Sequence, residues 1–171
     1  MRNATQKQGS QKGNVTEKSY QADSVVVDTL ADVDVSALLF MIEEEKMARD
    51  VYDALFEQTG IVQFDRISDS EQKHYDTLLK TAAKLGVDTS SLSTEAGLFT
   101  NVEVQSLYDE LMAQGSVSAD AAIAVGIAIE EADIADLYAS IEGTEVAMLD
   151  NVYVKLLGAS ESHLAAFESI A

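Results

Sequence analysis

The chain has 171 residues, 30 acidic against 11 basic, and a formal net charge of -19. With 47% hydrophobic residues it can bury a sizeable core in one domain, which excludes a disordered chain, and its charge argues against nucleic acid and anionic membrane surfaces, both of which are met with Lys and Arg. Cys, Pro and Trp are absent, which excludes disulfides, zinc knuckles, iron–sulfur clusters and a thiol nucleophile and leaves long helices unbroken.

Residues 1–30 read as a flexible lead-in, rich in Gln, Ser, Asn, Lys and Gly with no helical period. Its start, MRNATQKQGSQKGN, is basic and polar and lacks the apolar stretch of a signal peptide. No later run approaches the roughly 20 apolar residues of a membrane span. A soluble protein is expected; its compartment is left open, including export with the signal removed. The acidic excess reads most simply as a solubilising surface.

From about residue 31 to the end the period is helical. The first helix is expected from about Ser36 to Thr59, with the stripe Leu38, Met41, Glu45, Ala48, Tyr52, Leu55 and with Gly60 closing it. The second is expected from about Asp65, as N-cap, to Leu85, with Phe64, Ile67, Glu71, His74, Leu78, Ala82 and Leu85 on one face. About 30 residues follow, containing a short helix at about 102–114. The third long helix is expected from about Ser118 to Ile141 (Ile123, Ile127, Glu130, Ile134, Leu137, Ile141), and the fourth from Glu145 to Ile170 (Leu149, Val152, Leu156, Ser160, His163, Phe167, Ile170). Short links pair the first helix with the second and the third with the fourth. Two antiparallel hairpins joined by one long crossover predict an all-α, ferritin-like four-helix bundle over residues 31–171, with a short extra helix in the crossover between the second and third helices.

Each stripe carries polar residues near its middle: Glu45; Glu71 with His74; Glu130 with Asp133; Ser160 with His163. Both histidines of the chain fall on interior stripes. Carboxylates meeting in a core repel one another and are costly to desolvate, and a cation removes both problems. Glu-x-x-His on one helix with Glu from its neighbours is the ligand set of di-iron and di-manganese carboxylate proteins. A hydrogen-bonded, protonated cluster without metal is the alternative. On the first helix the choice stays open, because Glu44 also fits a stripe with Ala37, Met41, Ala48, Val51 and Leu55. Glu43 points elsewhere and is expected to be solvated.

The segment EKMARDVY resembles the first-helix motif of rubrerythrins, and that resemblance puts the ligand on Glu45. EQKHYDTLL resembles their second helix, implying Glu71 and His74; IEEADIADLY their third, implying Glu130 and a second carboxylate on Asp133; ASESHLAAF their fourth, implying His163. Closer still is the resemblance to DUF2202, a family of small ferritin-like proteins, on LLFMIEEEKMARDVY, SEQKH, VGIAIEEADIADL and ASESHL, over residues 36 to 170. It implies the fold and a metal, and no activity. Two departures from rubrerythrin matter. Ser160 stands where a bridging Glu is expected; Glu161 points about 200° away from His163 and cannot replace it. Without cysteines there is no rubredoxin-type domain, so a redox cycle needs an external electron donor.

Three functions are compatible with this reading. One is a redox protein with Fe or Mn acting on oxygen or peroxide, in which Arg49 orients Glu45 or is solvated, and Tyr52 approaches the site or simply packs. Another is a non-catalytic protein holding one ion, Zn included, for structure, sensing or buffering; the Ser at 160 favours it. The last is a metal-free helical interaction module. The ion count, one or two, and a homodimer are left open.

Overall fold

The computed structural model describes residues 30–171; residues 1–29, nearly all of the expected lead-in, lie outside that range. The described residues form five helices: α1 (Asp32–Thr59), α2 (Val62–Leu85), α3 (Val102–Gly115), α4 (Ala119–Gly143) and α5 (Ala147–Glu168). No strand occurs among them. The expected all-helical order is present, with α4 and α5 as the third and fourth long helices and α3 in the crossover.

Local signals set the ends. Gly60 and Gly86 sit at φ 69° and 74°, in the left-handed region that Gly enters without a Cβ penalty, and their N–H groups bond back to Phe56 and to Ala82 and Ala83. Asn101 caps α3 by accepting from Glu103 N and Val104 N, and Ser118 caps α4 by accepting from Ala121 N. Asp65 is not a cap. The turn at Gly60 reverses the chain so tightly that α2 begins at Val62, and Asp65 falls in its first turn, where a carboxylate favours the helix dipole. Thr144 closes the α4–α5 link, accepting from Val146 N at 3.1 Å and donating to Asp34 Oδ1 on α1 at 2.6 Å.

α1 pairs with α2 and α4 with α5. The two hairpins then face each other, α1 against α4 and α2 against α5, while α3 packs on α1 and α4. The core is split into two apolar regions. One centres on Tyr52, Phe64 and Phe167, whose ring centroids are 5.1–5.7 Å apart, and includes Leu55, Leu111 and Ile129. Leu38, Met41, Leu78, Leu149, Tyr153 and Leu156 form the other. On every long helix the polar residues of the stripe lie between the two regions, so the bundle carries a polar belt across its middle.

Candidate metal centre

Glu45, Glu71, Glu130, His74 and His163 converge in that belt. His74 Nδ1 is 2.7 Å from Glu71 Oε2 and 3.1 Å from Glu45 Oε2. His163 Nδ1 is 2.8 Å from Glu71 Oε1 and 3.6 Å from Glu130 Oε2. Two sets of ligand-type atoms result, Glu45–Glu71–His74 and Glu71–Glu130–His163, each with its atoms within 4.8 Å of one another. Glu71 belongs to both and turns one oxygen to each. The two imidazoles lie nearly parallel, 5.6 Å apart. Both sets mix carboxylate with imidazole, donors that suit Fe, Mn and Zn.

The three carboxylates are 2% exposed, and their hydrogen bonding is incomplete. Glu45 Oε1, Glu71 Oε1 and His163 Nδ1 are buried without an aligned hydrogen-bond partner, although the last two approach each other closely. Buried polar atoms normally find one. Burial, with Asp133 and Glu71 nearby, pushes the Glu45 carboxyl well above the usual range, and burial also raises Glu130. Burial acts the same way on Glu71, but the two imidazoles outweigh it and hold that carboxyl at about 2. His163 is raised to about 10, because Glu130 and Glu71 outweigh its burial. Without a cation the cluster is therefore compensated by protons.

Tyr52 both packs and reaches the site. Its ring closes the aromatic triangle and its hydroxyl donates to Glu130 Oε1 at 2.7 Å. Burial, and Glu130 beside it, raise the phenol well above its ordinary value, so it stays a donor. Arg49 does not orient Glu45; it donates to Asp50 Oδ1 and to Gln72 Oε1. Ser160 is fully buried and donates to Leu156 O at 3.0 Å. Asp133 belongs to neither ligand set. It lies beside Ser160, and burial raises its carboxyl to about 8 although Ser160 favours the anion.

The run Glu43–Glu44–Glu45 is buried throughout, at 3%, 7% and 2% exposure. Glu43, expected in solvent, instead accepts from Thr100 N and Asn101 N, 2.8 Å in the second case, because the crossover lies over that face of α1. Next to it Lys46 Nζ donates to Asp50 Oδ2 (2.8 Å), Glu95 O (2.7 Å) and Leu98 O (3.2 Å), and sits 4.2 Å from the Phe99 ring centre. Asp50 also accepts from Gly97 N at 2.9 Å. The Lys46–Asp50 pair has an i, i+4 spacing that the sequence offers; its backbone partners have no local signal. Glu44 faces the other way, into a cavity of about 100 Å³ that it lines with Glu45, Glu71, Glu130, Asp133 and the apolar side chains of α3 and α4.

A family model described as an uncharacterized protein domain, DUF2202, matches residues 34–170. The chain belongs to the DUF2202 family. It is 34% identical over 138 residues to MJ0754 of Methanocaldococcus jannaschii, covering 81% of this chain and 75% of that protein. The crystal structure of MJ0754 from Methanococcus jannaschii superposes with a TM-score of 0.79, covering 81% of this chain and 79% of that one. The family match takes in all but the first two residues of α1 and the whole of α2 through α5, and with them every residue of the polar belt.

Proposed function

We propose that this DUF2202 protein is a ferritin-like bundle, residues 31–171, that binds two Fe or Mn ions and uses them in redox chemistry on oxygen or peroxide. One observation carries the reading: Glu71 presents each carboxylate oxygen to a different imidazole and a different second glutamate. Glu71 would thus serve both ion positions, while Ser160 leaves the chain without the second shared carboxylate that the rubrerythrin resemblance implies. Glu45 and His74 would complete one position, Glu130 and His163 the other. The buried atoms without partners fit cations, which would satisfy them.

Two ions of this type, when bound, would supply electrons to a small oxidant. The chain's part is to hold and shield. Tyr52 fixes Glu130 through its hydroxyl. The aromatic triangle walls the belt from one side. Leu107 and Leu111 of α3 help enclose the cavity, which at about 100 Å³ is several times the roughly 10–15 Å³ needed for one water and admits a small molecule next to the ligands. With no cysteine in the chain, electrons would come from an external donor.

Metal analysis of protein purified without chelator tests the reading. Two ions per chain are expected, with both lost in Glu71→Ala and one kept in Glu45→Ala or Glu130→Ala. One ion in the parent, lost equally in all three variants, would favour the non-catalytic single-ion protein, for which Ser160 speaks. Two Zn ions with no oxygen or peroxide consumed after reconstitution with Fe(II) or Mn(II) would remove the redox part alone.

A further inference from the structure

We infer that Glu44, Asp133 and Asp136 form a loading route that carries a divalent cation from the α1–α4 seam to the centre. The inference rests on the metal reading above. A groove of about 380 Å³ opens along the seam, lined by Asp34, Ser36, Phe40, Asp136 and Thr144 among others. Asp136 in its wall lies against Glu44. Glu44 in turn lines the inner cavity together with Asp133, Glu45, Glu71 and Glu130. Outer groove and inner cavity are thus linked by one contact between carboxylates.

The spacing on α4 makes this a file. Glu130, Asp133 and Asp136 follow at three-residue steps, so each climbs about 4.5 Å and turns about 60° around the helix, from the centre to the seam. Glu44 faces them from α1. Two of these groups are poor choices for a purely structural role. Glu44 is more than nine-tenths buried, yet its Oε2 has no hydrogen-bond partner, and neither has the buried Asp133 Oδ1. Among the described residues no Lys or Arg pairs with any of the three. A line of carboxyl oxygens without cationic partners suits a hard divalent cation, which can pass from one oxygen pair to the next and displace protons as it goes. The competing door is the α2–α5 side, where the His74 and His163 side chains are 11% and 12% exposed.

Stopped-flow uptake of Co(II) by the metal-free full chain, read from its visible absorption, distinguishes the two doors. The parent should take up two equivalents. The double variant Glu44→Gln, Asp136→Asn should reach the same two equivalents, which also shows that it is folded, but roughly tenfold or more slowly, the low end of the gain that a cleft of one charge sign gives. Added salt should slow the parent more than the variant. Equal rates would overturn the route and leave the histidine side as the door. A final uptake below two in the variant would overturn it differently, by making these groups ligands of the centre. A parent that takes up no Co(II) would overturn the metal reading itself, and the route with it.

Discussion

Two faces of α1, one residue apart in sequence, bury their charges in opposite ways. On the crossover side, Glu43, Lys46 and Asp50 are closed upon themselves. Both Glu43 oxygens accept backbone N–H groups, the Lys46 ammonium has three acceptors and a ring, and Asp50 holds Lys46, Arg49 and Gly97 N. On the interior side, Glu44 and Glu45 face further carboxylates and keep oxygens without partners. Burial alone therefore does not separate structural from functional charge; completeness of partnering does. The first face holds the loop down. The second leaves buried oxygens unsatisfied, which on the proposed reading a metal ion would fill.

The largest expected contrast is with pH. Without metal, Asp133 and Glu44 have carboxyls raised by burial to about 8 and about 9, from 3.8 and 4.5. The folded state then keeps protons that the unfolded chain releases, so stability is full below about pH 4 to 4.5 as far as these groups go, and is lost as pH rises toward 8 and 9. The melting temperature of the metal-free protein should fall across that window. Saturating Fe(II), Mn(II) or Co(II) should raise the curve by mass action and flatten its slope, since the cation replaces protons within the belt. A metal-free melting temperature that climbs from pH 5 to 8 would contradict the interior charge pattern.

Lys46→Met should break the crossover face. Asp50 keeps Arg49 and Gly97 N, but the carbonyls of Glu95 and Leu98 lose their donor, a loss of about 1–3 kcal/mol for each. Denaturant unfolding should show the loss with and without metal. Ions bound per folded chain should stay at the parent value, because Lys46 touches no ligand. Equal loss of metal would mean that the two faces are coupled through α1.

Glu45→Gln should break the interior face with the opposite balance. The metal-free protein loses a group that burial and its acidic neighbours make costly to ionise, so its stability at pH 8 should hold or rise. Metal at the Glu45–Glu71–His74 position should be lost. Calorimetric unfolding beside metal analysis reads both, and a destabilised metal-free protein would show that Glu45 serves the fold.

Much of this layout is legible in the sequence. The period of three and four places Glu71, His74, Glu130 and His163 on interior stripes because α2, α4 and α5 each keep an exposed face, and the gap after Gly86 is long enough to show a crossover. The stripe argument fails on α1 for a physical reason. Residues 41–48 are all buried, since α2, α4 and the α3 crossover surround that stretch. A helix buried all round has no register to read, so periodicity alone could not choose between Glu44 and Glu45 and left Glu43 in solvent. The partners of Glu43 are backbone N–H groups 57 and 58 residues away. Backbone donors carry no side-chain signature, and only folding brings them there.

The smallest effects give the finest test, because they come from the same change at adjacent residues. In Glu43→Gln the amide keeps one acceptor oxygen, but its NH2 faces a second backbone N–H. One buried donor at Thr100 or Asn101 loses its partner, at a cost of about 1–3 kcal/mol. The crossover should loosen, seen as faster hydrogen exchange over residues 95–101, with no change in final metal content. In Glu44→Gln, volume is kept and a carboxyl without a partner at Oε2 becomes a neutral amide next to Asp133 and Asp136. The metal-free protein at pH 8 should be as stable as the parent or slightly more so, and its crossover should exchange no faster. Opposite signs from two isosteric changes one position apart would establish that α1 separates a fastened face from an unsatisfied one. Equal destabilisation in both would mean that Glu44, too, is held by partners within the fold, and the interior charges would then have to be read as structural.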